Sequence, residues 1–219
     1  KIYSRLFKDK WIPKVYTLLL PQDGEVFYSN IYKKILFNKK TRKTHSLVIH
    51  TNGLELNKEM LEKLHKVNSK NLALFISLDS LNEQTYKELR DGGDLETLLK
   101  NLKLISKARN KGELEYVRIL FILQRANYKE LPEIAKLAID LKFDYLDVTR
   151  ITNWGSFTDK EFESISMYDK NGEPLPELQK VLKDPIFQTD KICLMGNVLK
   201  DIVEQKTDNE RYIMKKESN

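Results

Sequence analysis

Apolar residues along this chain fall into two alternating rhythms. Runs of strand length, Val15 to Leu20, Leu47 to His50, Leu72 to Ser77, Val117 to Leu123 and Tyr145 to Thr149, are separated by longer stretches of helical period. This alternation predicts βα units around a parallel sheet, an α/β fold. All but the last run are nearly continuous in apolar residues, as strands covered on both faces are. After the third run, Leu95, Leu98, Leu99, Leu102 and Ile105 form a helical stripe behind Asp94, the expected N-cap. Leu131, Ile134, Ala135, Ala138 and Leu141 repeat the stripe, with Asn127 three residues before Glu130, and Pro132 in the first turn, as start signals. Shorter helices are expected over Leu81 to Arg90, opened by Ser80 and Glu83 as a capping box and stopped by Gly92-Gly93, and over roughly Tyr28 to Phe37. Beyond about Asn153 the rhythm fades into a polar segment with Gly172, Pro174, Pro176 and Pro185. It is read as an irregular extension with a short helix near Asn197 to Lys206.

Composition changes this picture mainly by exclusion. The 219 residues are enough for one sizeable core. The 38 Lys+Arg against 32 Asp+Glu leave a charge of +6 spread over the chain, a solvated mixed-sign surface that argues against a nucleic-acid partner. The one basic cluster, Lys39, Lys40, Arg42 and Lys43, follows an expected helix C-terminus, where cations complement the macrodipole on the side opposite an active rim. The longest apolar runs, such as Leu18 to Pro21 and Ile119 to Leu123, fall far short of the ~18–20 residues of a membrane span. With no secretory signal at the start, a cytoplasmic protein with no membrane partner is expected. A lone Cys193 excludes a disulfide framework and any metal or iron-sulfur site built from several thiolates of this chain. His45, His50 and His65 lack ligand-like spacing, so no metal site is predicted.

Candidate chemistry lies after the strands. Pro21-Gln22-Asp23-Gly24-Glu25 follows the first, Thr51-Asn52-Gly53 the second, Asp79-Ser80 the third behind Ser77, Gln124-Arg125-Ala126-Asn127 the fourth, and Arg150, Asn153 and Trp154 the fifth. In a parallel barrel or sheet these points share one rim, where βα loops build ligand sites. Each has a plainer explanation: Gly24 and Gly53 as positive-φ turn residues, Ser80 and Asn127 as helix caps, Trp154, Phe157 and Tyr168 as packing residues over the barrel end. Glu25 and Asp79 resist such explanations. Glu25 precedes Val26 and Phe27 and is expected to need a cationic partner.

Asp-Gly-Glu, Thr-Asn-Gly, Ser-Leu-Asp-Ser, then Tyr86 with Arg90 four residues on and Gly92-Gly93, and last Gln124 with Asn127, appear in that order after successive strands. This order resembles radical S-adenosylmethionine (radical SAM) enzymes, most closely the branch with SPASM or twitch extensions, over roughly Val15 to Trp154. The resemblance implies a partial (β/α)6 TIM-like barrel, incomplete at its N-terminus, over residues 1–155, with an irregular and helical C-terminal extension over 156–219. It implies that Gly24 and Glu25 hold the methionyl amine of S-adenosylmethionine, an ammonium matched by a fixed carboxylate. It further implies that Ser77 and Asp79 take the ribose, that Arg90 pairs with the cofactor carboxylate, and that Gln124 and Asn127 border adenine.

Two departures accompany the resemblance. The family's C-x-x-x-C-x-x-C loop, which binds a [4Fe-4S] cluster through three thiolates, is absent, and the first strand here carries second-strand features. The cluster ligands are therefore expected upstream of Lys1, where an in-frame cysteine triplet would show them. In one reading the chain is a fragment of an enzyme that, when complete, uses a [4Fe-4S] cluster to cleave S-adenosylmethionine to a 5′-deoxyadenosyl radical. That radical then abstracts hydrogen from an unknown substrate, a peptide or a small molecule. In the alternative the chain is a cluster-less, non-catalytic barrel serving as a binding or regulatory module.

Overall fold

A computed structural model describes residues 16–20, 24–39, 41, 44–67, 71–190 and 192–198. Val15, Pro21, Gln22, Asp23, Lys40, Arg42, Lys43 and the stretch beyond residue 198, including most of the helix expected there, lie outside the described residues. Among the described residues six parallel strands form one open sheet in chain order: β1 (Thr17–Leu20), β2 (Ser46–Thr51), β3 (Leu72–Ser77), β4 (Tyr116–Leu123), β5 (Tyr145–Arg150) and β6 (Cys193–Met195). With the intervening helices this is the α/β architecture of a partial TIM-like barrel.

Helices α1 (Asn30–Leu36), α2 (Lys58–Val67), α3 (Glu83–Leu89), α4 (Leu95–Asn110) and α5 (Leu131–Asp140) separate the first five strands. The expected stripes face inward: Leu98, Leu102 and Ile105 on α4 and Ile134 and Ala135 on α5 are fully buried. Each large apolar side chain so buried contributes roughly 1.5–3 kcal/mol. Asp94 caps α4 as expected, accepting from the Thr97 amide at 2.9 Å. None of the described helices is long and apolar enough to cross a membrane.

Strand β4 shows how the sheet is covered. Val117, Ile119, Phe121 and Leu123 are buried, whereas Tyr116, Arg118, Leu120 and Ile122 are only half-buried. The continuous apolar run therefore does not report two covered faces. One face packs on helices, and the other lines the partly open interior of the barrel. On that inner face His50, Phe75, Arg118, Tyr145 and Cys193 stand in register across β2 to β6.

Two expectations are corrected. Ser80 and Glu83 do not form a capping box on α3. Asn82 caps that helix, accepting from the Thr85 amide at 3.0 Å, because the Ser80 hydroxyl is drawn to Glu130, 50 residues away. Asn127 does not cap α5. A 3-10 turn over Tyr128–Glu130 intervenes, Pro132 sits in the first turn of α5, and the Asn127 side chain bonds elsewhere. The described residues between 156 and 198 are irregular and helical as expected, with α6 (Asp159–Ile165) and α7 (Pro176–Leu182), and they return to the sheet as β6.

Candidate functional site at the strand ends

Glu25 sits just beyond β1, half-buried, after Gly24 at φ 77°. Thr51, at the end of β2, donates its hydroxyl to Glu25 Oε1 at 2.8 Å, and the Asn52 amide donates to Oε2 at 2.7 Å. The expected cation does not appear: no described basic side chain pairs with this carboxylate. Neutral donors fix its orientation and leave its charge uncompensated, the state a carboxylate needs to receive an ammonium. The surroundings are acidic as well. Partial burial, then the Glu55 and Glu25 carboxylates, raise the Tyr28 phenol above its ordinary value, against a hydrogen bond with Asn52 that lowers it, so the hydroxyl stays protonated.

The turn carrying Asn52 is rigid. Gly53 has φ 79°, and a Cβ there would come within 2.6 Å of Leu98 Cδ1. Asn101, buried on α4, donates to the Gly53 and Leu54 carbonyls at 2.9 and 2.8 Å. A cleft of about 360 Å³ runs from Tyr28 and Asn52 past Leu54 and Tyr86 to Arg90 and Gly93, within the range of small-ligand sites.

Asp79, beyond β3, is 3% exposed, and both its oxygens are engaged. Arg90 approaches Oδ2 through Nε at 2.6 Å and Nη2 at 2.5 Å, while the Ile122 amide donates to Oδ1 at 2.8 Å. Asn127 is equally committed: its Nδ2 donates to the Asp79 and Ile122 carbonyls at 2.8 and 2.9 Å, and its Oδ1 accepts from the Gln124 amide. Asp79 and Asn127 thus lock the β3 exit to the β4 exit. Ser77 and Gln124 lie half-buried on the same rim, and the Ser77 hydroxyl bonds to no described residue.

Glu130, in sequence only a spacing partner of Asn127, organises this corner. Its carboxylate accepts from the Ser80 hydroxyl at 2.8 Å and from the Leu81 and Asn82 amides at 2.6 and 3.1 Å. The spacing from Asn127 was the available signal, and its partner turned out to be tertiary. On the far side of the rim, Trp154 is 88% exposed and Phe157 38%, contrary to the packing role expected of them. The Asn153 side chain explains this, closing the loop on the Gly155 and Phe157 amides and the Phe157 carbonyl and so turning Trp154 outward. Tyr168 does pack, 9% exposed, with the Arg150 guanidinium 5.1 Å from its ring.

Residues 14–164, which include Glu25, Ser77, Asp79, Arg90, Gln124 and Asn127, match the radical SAM superfamily. The chain belongs to that superfamily. Among solved structures this radical SAM chain is similar to SuiB of Streptococcus suis, at 21% identity and a TM-score of 0.60 over 83% of its length. It is similar also to SuiB bound to S-adenosylmethionine (20%, TM-score 0.59, 83% of this chain) and to SuiB bound to the precursor peptide SuiA (20%, TM-score 0.59, 88% of this chain). At these identities the likeness is one of fold. The chain spans 38–41% of the length of those SuiB chains. No curated protein matches it.

Membership implies two groups, and this chain's residues can be tested against each. S-adenosylmethionine fits: Arg90 and the Asn52 that orients Glu25 line the cleft, and the Glu25 carboxylate and the Ser77 hydroxyl, neither paired with a cation or a hydrogen-bond partner respectively among the described residues, lie on the same rim. A cluster held by three thiolates does not fit the residues of this sequence, which has one cysteine, half-buried on β6. The described residues also hold no group of three His, Cys, Asp or Glu side chains that could take a metal ion.

Proposed function

We propose that this chain is the S-adenosylmethionine-binding part of a cytoplasmic radical SAM enzyme of the SPASM or twitch-bearing branch, acting on a peptide. The observation that carries the reading is Glu25, oriented by Thr51 and the Asn52 amide yet lacking a cation among the described residues. Glu25 takes the methionyl ammonium, and the positive φ of Gly24 turns the chain so that the carboxylate lies at the strand edge. Arg90, held by Asp79, keeps donors for the methionyl carboxylate. Ser77 takes the ribose with Asp79 behind it, and Gln124, positioned by Asn127, borders adenine. Bound there and reduced by one electron from a cluster that the residues of this chain do not hold, S-adenosylmethionine would split into methionine and the 5′-deoxyadenosyl radical with which the family abstracts hydrogen. A peptide substrate is supported by SuiB, a fold neighbour crystallised with its precursor peptide.

Equilibrium dialysis with S-adenosylmethionine tests the seat. Glu25→Gln keeps the shape and one acceptor for the Thr51 and Asn52 donors but removes the charge. Loss of one charged hydrogen bond, worth about 1.5–3 kcal/mol, predicts roughly ten- to a hundredfold weaker binding. A folded Glu25→Gln protein that binds as tightly as the parent sinks the assignment.

The single cysteine favours a second reading, a barrel that recognises the cofactor without cleaving it. For the chain as given, anaerobic incubation with iron and sulfide is expected to yield no iron-sulfur chromophore. Near-stoichiometric cluster absorbance would show that ligands other than three thiolates suffice.

A further inference from the structure

Among the described residues three arginine-aspartate pairs tie this barrel together, and one is built differently. Arg90 meets Asp79 through Nε and Nη2 at 2.6 and 2.5 Å, and Arg109 meets Asp144 through the same two atoms at 2.8 and 2.6 Å. Each of those carboxylates also accepts a backbone amide, from Ile122 and Val117 respectively. Arg118 touches Asp147 only through Nη1, at 3.2 Å. Its Nε is buried and finds no acceptor among the described residues, and its Nη2 bonds to none of them either.

The guanidinium is nevertheless held in place. Its centre lies 4.2 Å from the Phe75 ring centroid and 5.3 Å from that of Tyr145, and Thr149 donates to the other oxygen of Asp147 at 3.2 Å. The edge left unused is the one that grips a carboxylate in both other pairs. It stands on the inner face of the sheet, in the row of His50, Phe75 and Tyr145, below the rim. Burial, then Arg90, lowers His50 below its ordinary 6.5, so Arg118 is the cation of that row at neutral pH.

We propose that the Nε/Nη2 edge of Arg118 binds a carboxylate of the substrate inside the barrel. This rests on the reading above that the enzyme acts on a peptide, and it narrows the substrate to one carrying an acidic side chain or a terminal carboxylate at that point. A buried donor without an acceptor is costly, and an arginine serving only to neutralise Asp147 could close the same fork as its two counterparts. The open fork matches a planar pair of oxygens. Asp147 beside it disfavours a doubly charged phosphate more than a singly charged carboxylate. Nη2 meets the incoming group first, and a turn of the guanidinium in its own plane, hinged at Asp147, brings Nε to the second oxygen.

The test is a titration of the full chain, followed at the ¹⁵N–H resonance of Arg118 Nε and at the Phe75 and Tyr145 ring signals. The probes are N-acetylglutamate amide, with a side-chain carboxylate only, N-acetylglycine, with a terminal one only, and N-acetylglutamine amide, with neither. At least one acid is expected to move the Nε–H signal while the neutral amide does not, and the acid that binds identifies the source of the carboxylate. Arg118→Lys keeps the charge but not the fork, and is expected to weaken that acid about tenfold with S-adenosylmethionine affinity unchanged. No shift with either acid, or undiminished affinity in a folded Arg118→Lys protein, overturns the proposal. If the lysine variant does not fold, the parent titration decides alone. A shifted Nε–H signal in a protein that fails to bind S-adenosylmethionine counts against the cofactor seat and for this one.

Discussion

Asp79→Ala is expected to lower the thermal unfolding midpoint by roughly 6–12 °C, the effect of about 3 kcal/mol in a domain of this size. The carboxylate is 3% exposed and receives the Arg90 fork and the Ile122 amide. Its removal strands both. Because about a third of the Arg90 side chain is exposed, the arginine can turn partly to water, which keeps the loss toward the lower end for a broken buried pair. Asp79→Asn retains an acceptor for Ile122 and should recover part of the stability while leaving Arg90 loose. Differential scanning calorimetry on the three proteins checks the order. An alanine variant as stable as the parent, with cofactor binding alone reduced, would make Asp79 a ligand contact rather than a clamp.

Gly196→Ala is expected to detach β6. Gly196 has φ 94°, and a Cβ there would overlap the Val148 carbonyl oxygen and come within 2.7 Å of Asp147 Oδ1. Neither the left-handed backbone nor the close approach tolerates a side chain, so the chain around 196 must move away from β5. The expected cost is about 2–4 kcal/mol, concentrated in the last strand. Amide hydrogen exchange should show Cys193 to Met195, and the Arg150 amide held by Asn197, losing protection while β2 to β4 keep theirs. Uniform loss across the sheet would mean that β6 is not a separable unit.

Much of this architecture is visible in the sequence because period and length agree. The five longer strands fall within a residue or two of their apolar runs, and the α4 stripe starts at its cap. Strand β6 escapes because three residues, Cys-Leu-Met, carry no readable alternation. Helix α2 escapes because Leu61 and Leu64 are set among Lys and Glu. The rim clusters are legible as a set, since each follows a strand. Their internal division is not: Glu25 and Asp79 look alike in sequence, and only tertiary partners distinguish a carboxylate held by neutral donors from one saturated by a guanidinium. Ser80 misleads for the same reason, since Glu130 competes with the local helix terminus for its hydroxyl. Likewise, nothing in the spacing of Arg118 tells its open fork from the closed one of Arg109.

The sequential strand order has a consequence for synthesis. Among the described strands every pairing joins neighbours in chain order, Leu47 with Leu72, Leu74 with Val117, Arg118 with Tyr145, and β5 with β6 across the longest connection. A nascent chain can therefore add each βα unit to an edge already formed as it leaves the ribosome, and β6, closing through Gly196, joins only after α6 and α7 have been made.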